Sequence, residues 1–124
     1  MKPKIKGIVY VGVRTDKFDE LNRFYKDVLG LTPDHYESGF STYILPNGDK
    51  IEIYGSDDPH SPAHDHFTTG PVVGFEVDDI EGSRKDLESR GIEFIGPIYG
   101  DNSRWSHFRG PDGNIYEIKQ QKTI

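Results

Sequence analysis

One short pattern occurs twice in this chain and constrains its fold more than any other feature. Residues 46–53 read Pro-Asn-Gly-Asp-Lys-Ile-Glu-Ile, and residues 111–118 read Pro-Asp-Gly-Asn-Ile-Tyr-Glu-Ile. Each copy joins a turn to a strand that carries one carboxylate among apolar residues. The copies align without gaps 65 positions apart, so Glu52 corresponds to Glu117. A turn alone is common, but a turn, a strand and a glutamate repeated together indicate a duplicated unit.

The composition fits one domain of ordinary size and excludes several classes of function. A chain of 124 residues can bury a core, and the absence of cysteine excludes disulfides and thiolate metal sites. A net charge of −6 argues against a nucleic-acid-binding surface and is compatible with a cationic ligand. No apolar run approaches the roughly 20 residues of a membrane helix, and no signal-peptide core follows the basic N-terminus. We therefore expect a cytoplasmic protein without nucleic-acid or membrane partners.

Hydrophobic periodicity predicts the order strand, helix, strand, strand, strand for the first unit. In the first strand, residues 5–15, three valines share a face expected to meet helices. The opposite face is mixed and can line a cavity; it carries Tyr10, Gly12 and Arg14. A helix capped by Asp16 or Thr15 is expected to end at Gly30. The three further strands are predicted over residues 32–37, 40–45 and 50–54.

A segment without apolar periodicity, residues 56–70, is predicted to link the two units. It contains His60, His64 and His66, which we expect on a solvated loop. The alternative is that one of these histidines folds over the cavity and supplies a metal ligand.

The same element order recurs after this linker. A helix capped by Asp79 and closed by Gly91 follows a strand over residues 71–78, and further strands are predicted over 92–97, 104–109 and 115–120. The sequence therefore predicts an α+β domain of two tandem βαβββ units, about residues 1–55 and 71–124. The two units are expected to form a curved sheet that encloses a cavity.

The chain resembles the vicinal oxygen chelate superfamily, which includes glyoxalase I, bleomycin-resistance proteins, fosfomycin-resistance enzymes and extradiol dioxygenases. The resemblance is carried by residues 23–31 (Arg-Phe-Tyr-Lys-Asp-Val-Leu-Gly-Leu), 74–79 (Gly-Phe-Glu-Val-Asp-Asp) and 107–117 (His-Phe-Arg-Gly-Pro-Asp-Gly-Asn-Ile-Tyr-Glu). These motifs are specific for the superfamily and not for one activity. The resemblance implies a homodimer, and a metal held by one ligand from the first and one from the last strand of each unit.

The metal site that the resemblance implies is incomplete in this sequence. Glu52 and Glu117 match the last-strand ligands, but the first-strand positions, which are His or Gln in the active enzymes, fall on Tyr10 and Val72. Valine cannot coordinate a metal, a neutral tyrosine is a poor ligand, and two carboxylates alone hold a metal weakly. We therefore expect no cofactor, and a ligand-binding or structural role for both glutamates. The alternative is a divalent ion (Ni, Zn, Mn or Fe) completed by His107, a linker histidine or waters.

Other polar and aromatic residues are candidates for ligand binding. His107 shares a strand face with Trp105 and can act as a general base or as an interstrand hydrogen-bonding group. Trp105, Tyr43 and Tyr54 can form the wall of a pocket or belong to the core. Arg14 can bind an anionic ligand or pair with Glu52 or Glu117.

These observations predict a protein that binds a small organic molecule in the cavity between its units, as bleomycin-resistance proteins do. Two alternatives remain open. One is a metal-dependent lyase, isomerase or dioxygenase of the same superfamily. The other is a non-enzymatic domain whose sheet serves dimerisation or another interaction.

Overall fold

The computed structural model describes residues 4–56 and 69–121, which form eight strands and two helices. The elements run in the order β1 (Gly7–Thr15), α1 (Phe18–Arg23), β2 (Pro33–Glu37), β3 (Phe40–Ile44), β4 (Lys50–Gly55), β5 (Gly70–Glu76), α2 (Ile80–Ser89), β6 (Phe94–Gly100), β7 (Arg104–Arg109) and β8 (Ile115–Gln120). The fold is the mixed α+β arrangement that the repeated element order predicts. Among the described residues, no helix is long and apolar enough to cross a membrane.

The chain divides into two compact units. The N-terminal unit comprises Tyr10–Pro71, and the C-terminal unit comprises Met1–Val9 together with Val72–Ile124. The first residues belong with the later part of the chain because the Lys6 amide donates to the carbonyl of Glu76, 2.8 Å away. The Lys6 ammonium also lies 2.9 Å from the Asp78 carboxylate, and this hydrogen bond raises the pKa of Lys6.

In the N-terminal unit, the strands lie in the order β2-β3-β4-β1. Strand β3 is antiparallel to β2 and β4, and β1 is parallel to β4. The turn between β3 and β4 contains Gly48 with φ 93°, a backbone conformation that side chains disfavour. The turn-and-strand pattern therefore forms the hairpin that its sequence predicts.

The first helix differs from its prediction. The α-helix ends at Arg23, and Phe24–Val28 continue as a π-helical turn in which the Leu29 amide donates to the Phe24 carbonyl five residues earlier. Its N-terminus also lacks the expected side-chain cap, because Thr15 Oγ1 accepts from the Lys17 amide before the helix begins. The π-helical turn directs Tyr25 towards the sheet, where its ring meets Tyr43 edge-on at 5.3 Å.

The C-terminal unit repeats this arrangement with the strand order β5-β8-β7-β6. Helix α2 begins at the predicted cap, where the Asp79 carboxylate accepts from the Gly82 amide at 3.1 Å. The core of this unit lies between α2 and the sheet and is formed by Val77, Ile80 and Ile118.

Each sheet has one face towards its own helix and one face turned away, which we call the far face. In β1, Val11 belongs to the helix-side face but is 42% exposed, whereas Tyr10 on the far face is 2% exposed. The valine face of β1 therefore lies on the helix side of its sheet, but α1 packs over β3 and β4 and leaves Val11 exposed. The linker histidines His60, His64 and His66 lie outside the described residues.

Candidate functional site

The two repeated glutamates occupy equivalent positions on the far faces. Glu52 on β4 is opposite Gly12 on β1 and Thr42 on β3. Glu117 on β8 is opposite Gly74 on β5 and His107 on β7. The duplication therefore extends to a glycine beside each glutamate, whereas the third strand offers threonine in one unit and histidine in the other.

In the N-terminal unit, Glu52 is held by groups of its own strand. Glu52 is 6% exposed, and its carboxylate accepts a hydrogen bond from the Tyr54 hydroxyl. The Lys50 ammonium lies 3.2 Å from the other carboxylate oxygen, and the Tyr10 hydroxyl lies 3.1 Å from that of Tyr54. Because a carboxylate only accepts hydrogen bonds, the Tyr54 hydroxyl and the Lys50 ammonium both donate to Glu52. Glu52 is thus engaged at both oxygens without any ligand.

In the C-terminal unit, Glu117 is paired with a histidine across the sheet. His107 Nε2 lies 2.8 Å from Glu117 Oε1, and the two side chains are 3% and 4% exposed. The carboxylate fixes the orientation of the imidazole, as second-sphere carboxylates do for functional histidines. This pair combines the interstrand hydrogen bond expected for His107 with the orientation that a proton-transferring or ligand-binding group needs.

Next to this pair, two aromatic rings form a platform. Trp105 lies two residues before His107 on the same face and stacks on Tyr99 of β6, with ring centroids 6.1 Å apart. The Tyr99 ring also lies 6.4 Å from that of His107. Gly100 borders the tryptophan so closely that a Cβ there would lie 2.6 Å from Trp105 Cζ3. The indole is therefore held in place while it remains partly exposed.

Sequence reasoning missed two residues of this face, Tyr99 and Lys119. Lys119 follows Glu117 by two positions on β8, and Trp105 is its register partner on β7. A lysine at the end of a strand is ordinarily a solvated charge, so only the strand register reveals this neighbour. Tyr99 follows a register shift between β6 and β7, which simple alternation does not predict.

The remaining candidate residues lie on opposite faces of the sheet in the N-terminal unit. Arg14 is 2% exposed on the far face, and Tyr54 is its register partner on β4. Tyr43 instead points towards α1, where its hydroxyl donates to Asn22 Oδ1 at 2.5 Å. Burial raises the pKa of the Tyr43 phenol. Because Tyr43 lies on the opposite face from Glu52, we leave it out of the proposed site.

The donor sets do not fit the metal that the superfamily resemblance implies. In residues 4–56 and 69–121, no group of three or more His, Asp or Glu side chains is arranged to hold a metal ion. Both oxygens of Glu52 are already engaged, Glu117 is paired with His107, and Val72 has no donor atom. We therefore assign no chemical step to a metal.

Comparison with known proteins supports the assignment made from the repeat. Residues 7–118 match the model of the Glyoxalase/Bleomycin resistance protein/Dioxygenase superfamily. The chain belongs to this superfamily. A relative in Bacillus subtilis (strain 168), "Uncharacterized protein YraH", is 25% identical over 123 residues, which cover 90% of this chain and 95% of the relative.

Solved structures of the superfamily share the fold at low sequence identity. Methylmalonyl-CoA epimerase from Mycobacterium tuberculosis is 20% identical with a TM-score of 0.73, over 99% of this chain and 93% of that one. A Streptomyces coelicolor epimerase variant in complex with 2-nitronate-propionyl-CoA is 15% identical with a TM-score of 0.68, over 97% of this chain and 100% of its own. At these identities the likeness shows the fold alone.

Proposed function

We propose that this protein binds a small organic molecule on the far face of its C-terminal unit, without a metal. The observation that carries the proposal is the buried His107–Glu117 pair, 2.8 Å apart, beside the partly exposed Trp105–Tyr99 stack. A fixed aromatic surface with a few oriented polar groups is the usual composition of a small-molecule site. The aromatic platform supplies apolar contact with a ligand, and the adjacent His107–Glu117 pair supplies polar groups.

The metal-dependent alternative requires donors that the described residues do not assemble. A catalytic divalent ion needs three or four protein ligands, and each glutamate has at most one histidine beside it. A metal-dependent lyase, isomerase or dioxygenase activity is therefore the less supported candidate, and it predicts stoichiometric metal in the purified protein.

A thermal-shift screen of small organic molecules, run in EDTA, tests the proposed function. A ligand at a hundredfold excess over its Kd stabilises the folded state by about 2.7 kcal/mol, so true ligands raise the Tm measurably. Trp105→Leu should weaken the hits about fivefold, because aromatic stacking is worth on the order of 1 kcal/mol. Phe24→Leu is the matched control, since Phe24 is a 44% exposed aromatic of the other unit.

Two outcomes of this screen would overturn the proposal. One is that no compound stabilises the protein in EDTA. The other is that the hits bind Trp105→Leu and the wild type equally well, which would place the ligand elsewhere.

We also propose that the protein is a homodimer, as its superfamily membership implies. Near the N-terminus, Ile8 and Val11 are 63% and 42% exposed on opposite faces of β1, and large apolar side chains left exposed are the kind that a partner subunit covers. Light scattering should give twice the chain mass for the wild type and a lower mass for Ile8→Lys. A wild type that is monomeric at all concentrations would contradict the dimer.

A further inference from the structure

The far face of the C-terminal unit carries a lysine whose position suggests a role in ligand recognition. On β8, Lys119 projects from the same face as Glu117, because the two are separated by two residues. Directly opposed side chains on antiparallel strands have Cβ atoms about 4.5–5.5 Å apart, and diagonal neighbours about 7–8 Å. Trp105 is the opposed residue and His107 the diagonal one. One small molecule can therefore contact all three side chains.

The Lys119 ammonium is not committed to a protein partner. Across the part of the chain that the structure describes, it makes no hydrogen bond and no ion pair. Glu76 is its register partner on β5, but the nearest ammonium to the Glu76 carboxylate is that of Lys6, at 4.0 Å. Lys119 is also half-buried, so its charge is less well hydrated than that of a fully exposed lysine. A half-buried cation without a partner favours an anion.

The neighbouring groups restrict which anion fits. The Trp105–Tyr99 stack next to Lys119 offers an aromatic surface, which suits a planar apolar group. Glu117 Oε1 is paired with His107, and among the described residues Glu117 forms no ion pair with Lys119. A ligand whose anionic group meets Lys119 and whose planar part covers Trp105 satisfies both surfaces at once.

We propose that Lys119 binds the carboxylate of a small aromatic or planar acid whose ring packs on Trp105. This inference rests on the proposed binding function of the far face and adds the ligand's charge and class. It also replaces the expectation, drawn from the net charge of −6, of a cationic ligand. The charge beside the aromatic platform decides recognition at short range, whereas net charge acts on the whole surface.

Three ligands of matched size and different charge test this inference: phenylacetate, 2-phenylethanol and phenethylamine. Saturation-transfer NMR detects their binding even at millimolar affinity. We expect phenylacetate to bind most tightly. Lys119→Met should weaken it about tenfold, in line with the loss of a charge-assisted hydrogen bond, while Lys119→Arg retains it. Glu76→Gln should strengthen it, because a neighbouring negative charge is removed.

Lys85→Met is the matched control, since Lys85 is an exposed lysine on α2, on the other side of the sheet. The inference is overturned if the alcohol or the amine binds as tightly as phenylacetate, or if Lys119→Met binds phenylacetate as well as the wild type does. In both cases the protein still binds a ligand, and the comparison with Trp105→Leu decides separately whether that ligand lies on the far face as the proposed function requires. Failure of all three to bind also overturns the inference, and the thermal-shift screen then decides separately whether the proposed function fails with it.

Discussion

Two glutamates at equivalent repeat positions have different environments because a few of their neighbouring residues differ. Glu52 is held within its own strand by Tyr54 and Lys50, whereas Glu117 is held across the sheet by His107. Three positions separate the two cases: the register partner on the third strand is Thr42 or His107, and the residues two positions before and after the glutamate are Lys50 and Tyr54 in one copy and Ile115 and Lys119 in the other. The repeated pattern therefore contains one carboxylate, Glu52, whose oxygens are both engaged by its neighbours, and another, Glu117, that orients an imidazole.

The His107–Glu117 pair should make a large contribution to stability. His107→Leu leaves the Glu117 carboxylate buried without its donor, and breaking such a pair costs about 3 kcal/mol. Glu117→Gln should cost less, because the amide oxygen still accepts from His107. Urea unfolding of the three proteins measures these differences.

A second histidine–glutamate pair in the same chain provides the control. His35 lies 2.9 Å from Glu37, with side chains that are 53% and 62% exposed. His35→Leu should change the unfolding free energy by less than about 0.5 kcal/mol, because exposed ion pairs contribute little. Equal losses of unfolding free energy for His35→Leu and His107→Leu would contradict the claim that burial makes the His107–Glu117 pair stabilising.

Strand alternation in the sequence was sufficient to place some site residues but not others. It put Tyr10 and Arg14 on one face of β1 and placed His107 beside Trp105, as the structure shows. It could not pair His107 with Glu117, because that contact depends on the register between β7 and β8. Tyr43 was a candidate for either face, since a tyrosine suits both a core and a pocket, and only its hydrogen bond to Asn22 decides.

At the scale of elements, each helix has at the equivalent position a polar side chain that forms a hydrogen bond with its sheet. In the N-terminal unit, Asn22 of α1 accepts from the hydroxyls of Ser41 and Tyr43 at 2.7 and 2.5 Å. In the C-terminal unit, Arg84 of α2 donates to the Ser106 hydroxyl at 3.2 Å. The amphipathic patterns predicted both helices, but these polar anchors carry no periodic signal and were not predicted.

Asn22 should be the more sensitive of these anchors, because it is 1% exposed. Asn22→Ala leaves two buried hydroxyls without their shared acceptor and should destabilise the protein by roughly 2–3 kcal/mol. Chemical denaturation measures this loss, and Asn102→Ala, in an exposed turn, is the control. A loss below that of the control would show that the hydroxyls find other acceptors.

Burial of tyrosines under α1 predicts a loss of stability at alkaline pH. Desolvation raises the pKa of Tyr43 and of Tyr25 above that of an unfolded tyrosine, about 10. The stabilisation is thus complete below about pH 10 and is lost as the pH rises through the folded-state values. Urea midpoints from pH 8 to 11 should fall less steeply in Tyr43→Phe than in the wild type. Tyr36→Phe, at a 50% exposed position, should leave the fall of the urea midpoint with pH unchanged. An equal fall in all three proteins would contradict the view that burial of Tyr43 causes the alkaline loss of stability.

The π-helical turn after α1 is a feature that the sequence patterns did not predict. In the sequence, apolar residues recur at the 3–4 spacing of an amphipathic helix, and either Phe24 or Tyr25 can continue this series between Leu21 and Val28. The widened turn selects Tyr25, and Phe24 remains 44% exposed. Neither a proline nor a glycine marks this turn within residues 24–28, so the local sequence contains no recognisable signal for it.

At the scale of the whole molecule, the chain has the superfamily fold, and in the part of the chain that the structure describes no three His, Asp or Glu side chains are arranged to hold a metal ion. The repeat, the turns and the alternation of strands were enough to predict the α+β fold, although the cap and the end of the first α-helix were not predicted correctly. Whether the far faces hold a metal depends on partners that only tertiary pairing supplies, such as Tyr54 for Glu52.

Elemental analysis provides the direct test of metal dependence. Protein incubated with Ni, Zn, Mn or Fe and then desalted should contain well under one equivalent of each metal. Glu52→Ala and Glu117→Ala should not change that content, because neither carboxylate is offered to a metal. One equivalent of metal in the wild type, lost in both variants, would restore the metal-dependent alternative.

The central claim is that a small molecule binds at the Trp105 platform without a metal. The measurement that tests it most directly is the fluorescence of Trp105, the only tryptophan in the chain, during titration with screened ligands in EDTA. Saturable changes in intensity or wavelength are expected, with a Kd that does not change when Ni, Zn, Mn or Fe replaces the EDTA. Fluorescence that responds to the ligand only after metal is added would contradict the claim.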